Sequence, residues 1–325
     1  MDFTDFKAGQ DDDNRRLDKI IRIFAVQLPL SQIYKLLRKG LIRVNGNKAS
    51  ADYRVKNGDI IQIASFLLNE NKKEEPSLEK NIITSDLIVF ENEHLIIINK
   101  PYDISVHGDN NSLDNQIRHY LRQKDNQSDS KSLSFTSGPL HRLDRKTSGL
   151  LVFSKSLKGA RWFSENINNH SIQKKYSAII QGHLNSVQKW NDYIFSENED
   201  SNNIKSFHTV KCSEKELSKD WKYAQSSIEA LAYGKLGHQD ITLAEITIKT
   251  GRKHQIRCQS AFHGFPLLGD IAYGGEQINK KELKRDFYLM ASSLLLPENE
   301  LGLPGELKLD VNKDFFDIIK YCDIK

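Results

Sequence analysis

The densest chemistry in this 325-residue chain lies in one run, Gly138-Pro-Leu-His141-Arg142-Leu-Asp144-Arg145-Lys146-Thr147-Ser148-Gly149-Leu150. A single carboxylate, Asp144, stands among Arg142, Arg145 and Lys146, just ahead of a Thr-Ser-Gly turn and an apolar strand. Neighbouring cations favour the charged form of a carboxyl, so Asp144 is expected to stay ionised. An ionised, fixed aspartate suits nucleophilic or proton-transfer work at a sugar carbon. A structural Arg–Asp pair bracing the turn fits the same residues.

Three further segments carry candidate side chains. In Gln173-Lys174-Lys175-Tyr176-Ser177-Ala178, Tyr176 falls in an expected strand; a buried phenol near cations suits a general base or a flat platform, and an ordinary core tyrosine fits equally. In the run from Thr250-Gly251-Arg252 to Asp270, a strand turns into a short helix from which Arg257 projects and can pair with an acid. Asn99-Lys100-Pro101 to His107 reads as a loop at a cleft rim, with Lys100 directed at phosphate or at solvent. His141, His254 and His263 form no HxH or HExxH pattern and have no cysteine partner, so no metal is expected. His141-Arg142-Leu143-Asp144 is close to a kinase catalytic loop, but its Asp is displaced by one residue and no Gly-rich loop, DFG or APE accompanies it. Phosphate-loop and dinucleotide fingerprints are missing too, so no nucleotide cofactor is implied.

These segments need a scaffold. Strands are expected at Leu87–Phe90, His94–Asn99, Leu150–Ser154, Lys174–Ile180 and Leu243–Ile248, with a helix around Leu157–Ile167. The mixture of 3.6-residue and 2-residue periods favours an α+β body over a parallel sheet. Residues 185–240, rich in Ser, Asn and Lys, are expected to be loops and insertions. Ahead of the body, Asn14 is placed to cap a helix whose Leu17, Ile20, Ile21 and Phe24 make an apolar stripe, and Ser31 to cap a second helix that stops at Gly40. An Asn45-Gly46 hairpin and a strand from Ile60 to Ile63 follow.

Charge sets this first part aside. Residues 15–63 hold eleven Lys or Arg against three Asp, a net of +8 in a chain whose total is +4. Such asymmetry fits a nucleic-acid-binding module on a more neutral body, while a solvated charged surface is the plainer alternative. The acidic start, MDFTDFKAGQDDD, is not a signal peptide. No stretch reaches the ~20 apolar residues of a membrane span. Cys212, Cys258 and Cys322 lie far apart without a CxxC pair, which fits a reducing, cytoplasmic location.

Taken together, HRLDRxTSGLL, KxYxA and TGRxHQIR…GxPLLGDxxYGG, preceded by NKP…VH, resemble the RluA family of pseudouridine synthases in order and spacing. Residues 15–63 resemble the S4 RNA-binding domain, and Ser31–Asn45 looks most like family members that act on large-subunit (23S) rRNA. By composition residues 1–14 read as an acidic tail and 64–80 as a linker; with the resemblance, an S4 domain is expected over 15–63 and a catalytic domain over 81–325. It implies a central mixed, mainly antiparallel sheet with flanking helices. It implies Asp144 as the catalytic aspartate, Tyr176 against the target base and taking its C5 proton, and Arg257 in a salt bridge to Asp144. Arg142 would fill the gap left by the extruded uridine, with His107 and His141 in support. Lys100 and, in the S4 module, Arg15, Arg16, Lys19, Arg22, Lys35, Arg38, Lys39 and Arg43 would grip RNA, positioning it without reading sequence. The implied partner is large-subunit rRNA or its assembly intermediates, met by a cofactor-free monomer. Another rRNA or tRNA site, or a non-catalytic RNA-binding assembly factor, are the rival expectations. Gln259 stands where the family commonly has His, and Ser226-Ser227 near a usual Thr.

Overall fold

A computed structural model of the chain describes residues 2–24, 29–68, 83–125, 132–196, 208–211, 218–276, 285–311 and 313–322. The N-terminal module comprises β1 (Phe3–Lys7), α1 (Leu17–Phe24), α2 (Leu30–Lys39), β2 (Ile42–Val44), β3 (Asn47–Lys48) and β4 (Ile60–Ala64). The body comprises β5 (Ile88–Glu91), β6 (Leu95–Lys100), α3 (Leu113–Asp125), β7 (Ser148–Ser154), α4 (Leu157–Asn168), β8 (Gln173–Gln181), β9 (Gln188–Ser196), β10 (His208–Lys211), β11 (Lys222–Leu236), β12 (Gln239–Ile248), α5 (Gln255–Phe262), β13 (Leu289–Leu295), β14 (Glu306–Lys308) and α6 (Lys313–Tyr321). No described helix is long and apolar enough to cross a membrane.

In the module, Leu17, Ile20 and Ile21 of the predicted stripe are fully buried, together with Ile33 and Leu37 of α2. The side chain of Phe24 lies outside the described residues. The hairpin turns at Asn45 and Gly46, both at positive φ as a type I′ turn requires. The caps differ from expectation: α1 starts at Leu17, three residues after Asn14, and α2 starts after Pro29 with no side-chain cap from Ser31.

The expected acidic tail is instead part of this module. β1 pairs antiparallel with β4, from Phe3 opposite Ala64 to Lys7 opposite Ile60. Phe6 packs on the module's core, and Phe3 lies under the Arg43 guanidinium at 4.7 Å. Asp12 is fully buried and accepts from Ser132 Oγ, Leu133 N and Ser134 N of the body. A run that reads as solvated charge thus uses one carboxylate to join module to body. Of the expected linker, residues 69–80 lie outside the described residues.

The body's sheet runs β10-β9-β11-β12-β8-β13-β7-β6-β5, with β14 beside β13. Among the described residues only β13 and β7 pair in parallel, which gives the mixed, mainly antiparallel sheet that the resemblance implies. Leu95-Ile-Ile-Ile98 and Leu150-Leu-Val-Phe153 are apolar throughout because both faces are covered. One face packs on α3 through Leu113 and Ile117, the other on α4 through Phe163.

The region expected to be loops instead supplies β9, β10 and β11. The pattern escapes notice because its inward positions are partly polar. Trp190, Asp192 and Ile194 point inward from β9, and Ala224, Ser226 and Ile228 from β11. Asp192 is 1% exposed and accepts from Gln259 Nε2 at 2.6 Å and faces His263 Nε2 at 3.0 Å; Ser226 Oγ donates to Gln259 Oε1. Gln259, unusual for the resemblance, is therefore the hub that satisfies these buried groups.

Candidate active site

Asp144 sits in the loop that leads into β7, and that loop is tied down at several points. Leu140 N donates to Val152 O, Ser154 N to Gly138 O, and Thr147 N to Asp144 O. At Gly149, φ is +108° and an added Cβ would lie 2.2 Å from Ala291 O. Only glycine admits that close approach of β7 to β13, so the Thr-Ser-Gly turn sets where Asp144 stands.

Tyr176 reaches the same place from the middle of β8, and the turn from β12 into α5 closes it. Gln255 Oε1 accepts from Thr250 Oγ1 and Arg252 N, while its Nε2 donates to Gln225 O and Ser226 Oγ. This fixes the Thr-Gly-Arg turn and aims the residues after it inward. The result is a groove of about 530 Å³ whose lining includes Asp144 and Tyr176 with Arg142, Lys174, Lys249, Arg252, Lys253, His254 and Arg257. One carboxylate faces a largely cationic wall.

The electrostatics of Asp144 include an effect that works against its ionisation. Its side chain is 19% exposed, and burial raises its pKa against the opposing pull of Arg257, Arg142, Lys253 and Lys100. Counting neighbouring charges in sequence leaves out the desolvation that the fold imposes. Asp144 therefore holds its proton to higher pH than an exposed aspartate. Tyr176 is 6% exposed, and burial and then the Asp144 charge raise its pKa, keeping the phenol protonated.

The expected salt bridge between Arg257 and Asp144 does not form among the described residues. Arg257 is held by Asp270 instead, through two bonds of 2.7 Å, with its guanidinium between the rings of Tyr273 and Phe287. Asp270 is 2% exposed and completes a bidentate fork. Arg257 acts on Asp144 through space, as the largest of the charges that lower its pKa. The contact made to Asp144 is that of His254, with Nε2 3.7 Å from Oδ2. His254 sits at φ +54° with Nδ1 2.7 Å from the Tyr273 hydroxyl. Sequence reasoning assigned no role in the site to His254 or Asp270. Both belong to the TGRxHQIR…GD run, and only its folding shows that they converge.

Other expected RNA contacts are redistributed. Lys100 is fully buried, not at a rim, and its Nζ donates to Pro101 O and Arg145 O, holding the Asp144 loop from behind. Burial lowers its pKa to about 7 despite the Asp144 charge. His141, half-buried, stays in the groove lining; it stacks on Phe163 and accepts from Val152 N through Nε2, and burial lowers its pKa to about 3. His107 faces Asp114 and is not part of the groove lining. Arg142 is exposed along the groove. In the N-terminal module Arg15 donates to Ser134, Arg16 pairs with Asp18 and Arg43 donates to Gly40 O, so these three brace structure. Lys19, Arg22, Lys35, Arg38 and Lys39 are exposed on α1 and α2.

A family model for RNA pseudouridylate synthase matches residues 94–262, and an S4 domain model matches residues 15–61. Ribosomal large subunit pseudouridine synthase C of Buchnera aphidicola is 30% identical over 300 residues, spanning 89% of this chain and 88% of the relative. Its namesake from Vibrio cholerae is 29% identical over 283 residues, spanning 86% and 81%. The solved structure of human RNA Pseudouridylate Synthase Domain Containing 4 has a TM-score of 0.56 at 22% identity, covering 73% of this chain and 93% of that one, a likeness of fold. Both sequence and fold therefore lead to one assignment: the chain belongs to the RNA pseudouridylate synthase family.

Proposed function

We propose that this enzyme converts specific uridines of large-subunit (23S) rRNA, or of its assembly intermediates, to pseudouridine, with Asp144 as the catalytic carboxylate. The observation that carries the reading is the meeting of Asp144 and Tyr176 in one cationic groove. Support for the substrate comes from relatives whose names specify the large ribosomal subunit. The reading includes a monomer at work in the cytoplasm.

The chemistry balances without a redox partner. The N1–C1′ bond breaks, the uracil turns, and a C5–C1′ bond forms; C5 gives up one proton and N1 gains one. The uridine must first leave its stack, at a cost of a few kcal/mol that RNA contacts offset. Asp144 acts at the ribose. Arg257, held by Asp270, favours its charged form in a buried site, and His254 lies beside it. Tyr176 lies against the base. Its phenol is disfavoured as a base while Asp144 is ionised, because that charge helps raise its pKa. Consuming the Asp144 charge at the sugar removes the lesser of the two effects that raise the Tyr176 pKa; burial, the larger, remains.

Pseudouridine mapping of rRNA from cells with and without the gene tests the substrate; identical large-subunit maps would redirect the reading to another RNA. For the chemistry, Asp144→Asn is expected to slow product formation by about 10³-fold or more at unchanged RNA affinity. Release of C5 tritium from labelled transcript at the wild-type rate would remove Asp144 from the reaction.

A further inference from the structure

Two residues before Tyr176, on the same face of β8, Lys174 also lines the groove. It is only 8% exposed, and among the described residues its ammonium has no hydrogen bond or ion pair. Two other lysines nearby are provided for. Lys100 donates to two carbonyls, and Lys175, on the opposite face of β8, pairs with Glu245 at 2.6 Å. The Lys174 ammonium lies against the Thr-Gly-Arg turn, where a Cβ on Gly251 would come within 3.3 Å of Nζ. Burial lowers its pKa, with no carboxylate set against that effect. A cation so buried is costly unless a counter-charge arrives. The groove itself offers one carboxylate, and Asp144 is engaged with Arg257, Arg142 and His254.

We propose that Lys174 binds a phosphodiester oxygen of the nucleotide extruded into the groove, fixing the ribose over Asp144. This rests on the proposed function, in which a flipped uridine enters here. A phosphate is favoured over a single uracil carbonyl because a hydrogen bond between two charged partners is about twice as strong as one to a neutral acceptor, and so offsets more of the burial of an ammonium. The spacing agrees: two residues along a strand span roughly 6.6 Å, comparable with a single nucleotide. The base end of the groove is then Tyr176, and the phosphate end is Lys174 beside Gly251.

The experiment compares wild type, Lys174→Met and Lys174→Arg on a large-subunit rRNA fragment that the wild type modifies. Single-turnover rates are read across salt concentrations, and fragments bearing random phosphate ethylation are sorted into converted and unconverted pools. Lys174→Met is expected to lower kcat/KM about 10- to 100-fold, and to make the log–log salt dependence shallower by about one. Lys174→Arg should keep the wild-type salt slope. Ethylation of one phosphate beside the modified uridine should block the wild type and have no further effect in Lys174→Met. An unchanged salt slope in Lys174→Met, or the same ethylation block in both proteins, would overturn the proposal. Thermal unfolding of both variants separates a folding defect from weakened binding, and Lys174→Arg with wild-type stability but the Met phenotype would also refute it. Failure of the wild type to modify any such fragment would instead fault the substrate reading.

Discussion

Among single residues, Lys100 shows how the site holds unfavourable charge. Its ammonium is fully buried behind the Asp144 loop, and its pKa falls from 10.5 to about 7. Below about pH 7 the lysine is charged in both folded and unfolded chains, and the folded chain bears the cost of burying it. Between about 7 and 10.5 the unfolded chain binds the extra proton, so stability rises with pH across that window. Lys100→Met removes this dependence. Wild type is therefore expected to gain on Lys100→Met as pH climbs from 7 to 10, by at most about 1.4 kcal/mol per pH unit. Urea unfolding at pH 6 and pH 9 reads the difference, and a pH-independent gap between the two proteins would contradict it. The neighbours of Lys100 in the chain give no hint of this. A lysine before a proline at a strand end is ordinarily solvated, and only the loop laid over it buries it.

Among the strands and helices, the site depends on where strands turn. The Thr147-Ser148-Gly149 turn brings β7 against β13 so closely that no side chain fits at Gly149. Gly149→Ala would introduce both a clash with Ala291 O and a strained positive φ, and is expected to cost more than about 3 kcal/mol or to prevent folding. Denaturant melts check this; a destabilisation below about 1 kcal/mol would mean that the turn shifts freely. The elements flanking the motifs are legible because their signals are local. Apolar runs mark β6 and β7, and the period of Leu17, Ile20 and Ile21 marks α1. The strands β9 and β11 are not, since Asp192 and Ser226 occupy inward positions and read as surface until Gln259 and His263 are seen to meet them.

Across the full chain, the N-terminal module is attached through Asp12 and Arg15 to Ser132–Ser134. That stretch runs on within ten residues to Asp144, so the S4 module is fastened to the same length of chain that leads into the Asp144 loop. The module's exposed cations include Lys19 and Arg22 on α1, and Lys35, Arg38 and Lys39 on α2. Replacing Lys35, Arg38 and Lys39 together by Ala is expected to weaken RNA binding and to flatten its salt dependence. The slope should fall by up to about 0.7–0.9 for each phosphate these side chains neutralise. The rate at saturating RNA should be unchanged. Filter binding across salt concentrations measures the slope, and an unaltered slope would place the RNA on another surface.

Residue types at short spacing were enough to establish the family, the strand and helix that carry each motif, and the basic character of the first module. Local propensity and solvation govern those properties, and both can be judged from neighbours in the chain. Which charges face one another was settled by folding alone. Arg257 pairs with Asp270 rather than Asp144, His254 takes the place beside the aspartate, Lys100 turns inward, and Asp12 becomes a joint. Each of those outcomes turns on desolvation and on partners brought from distant parts of the chain, neither of which a linear reading can supply.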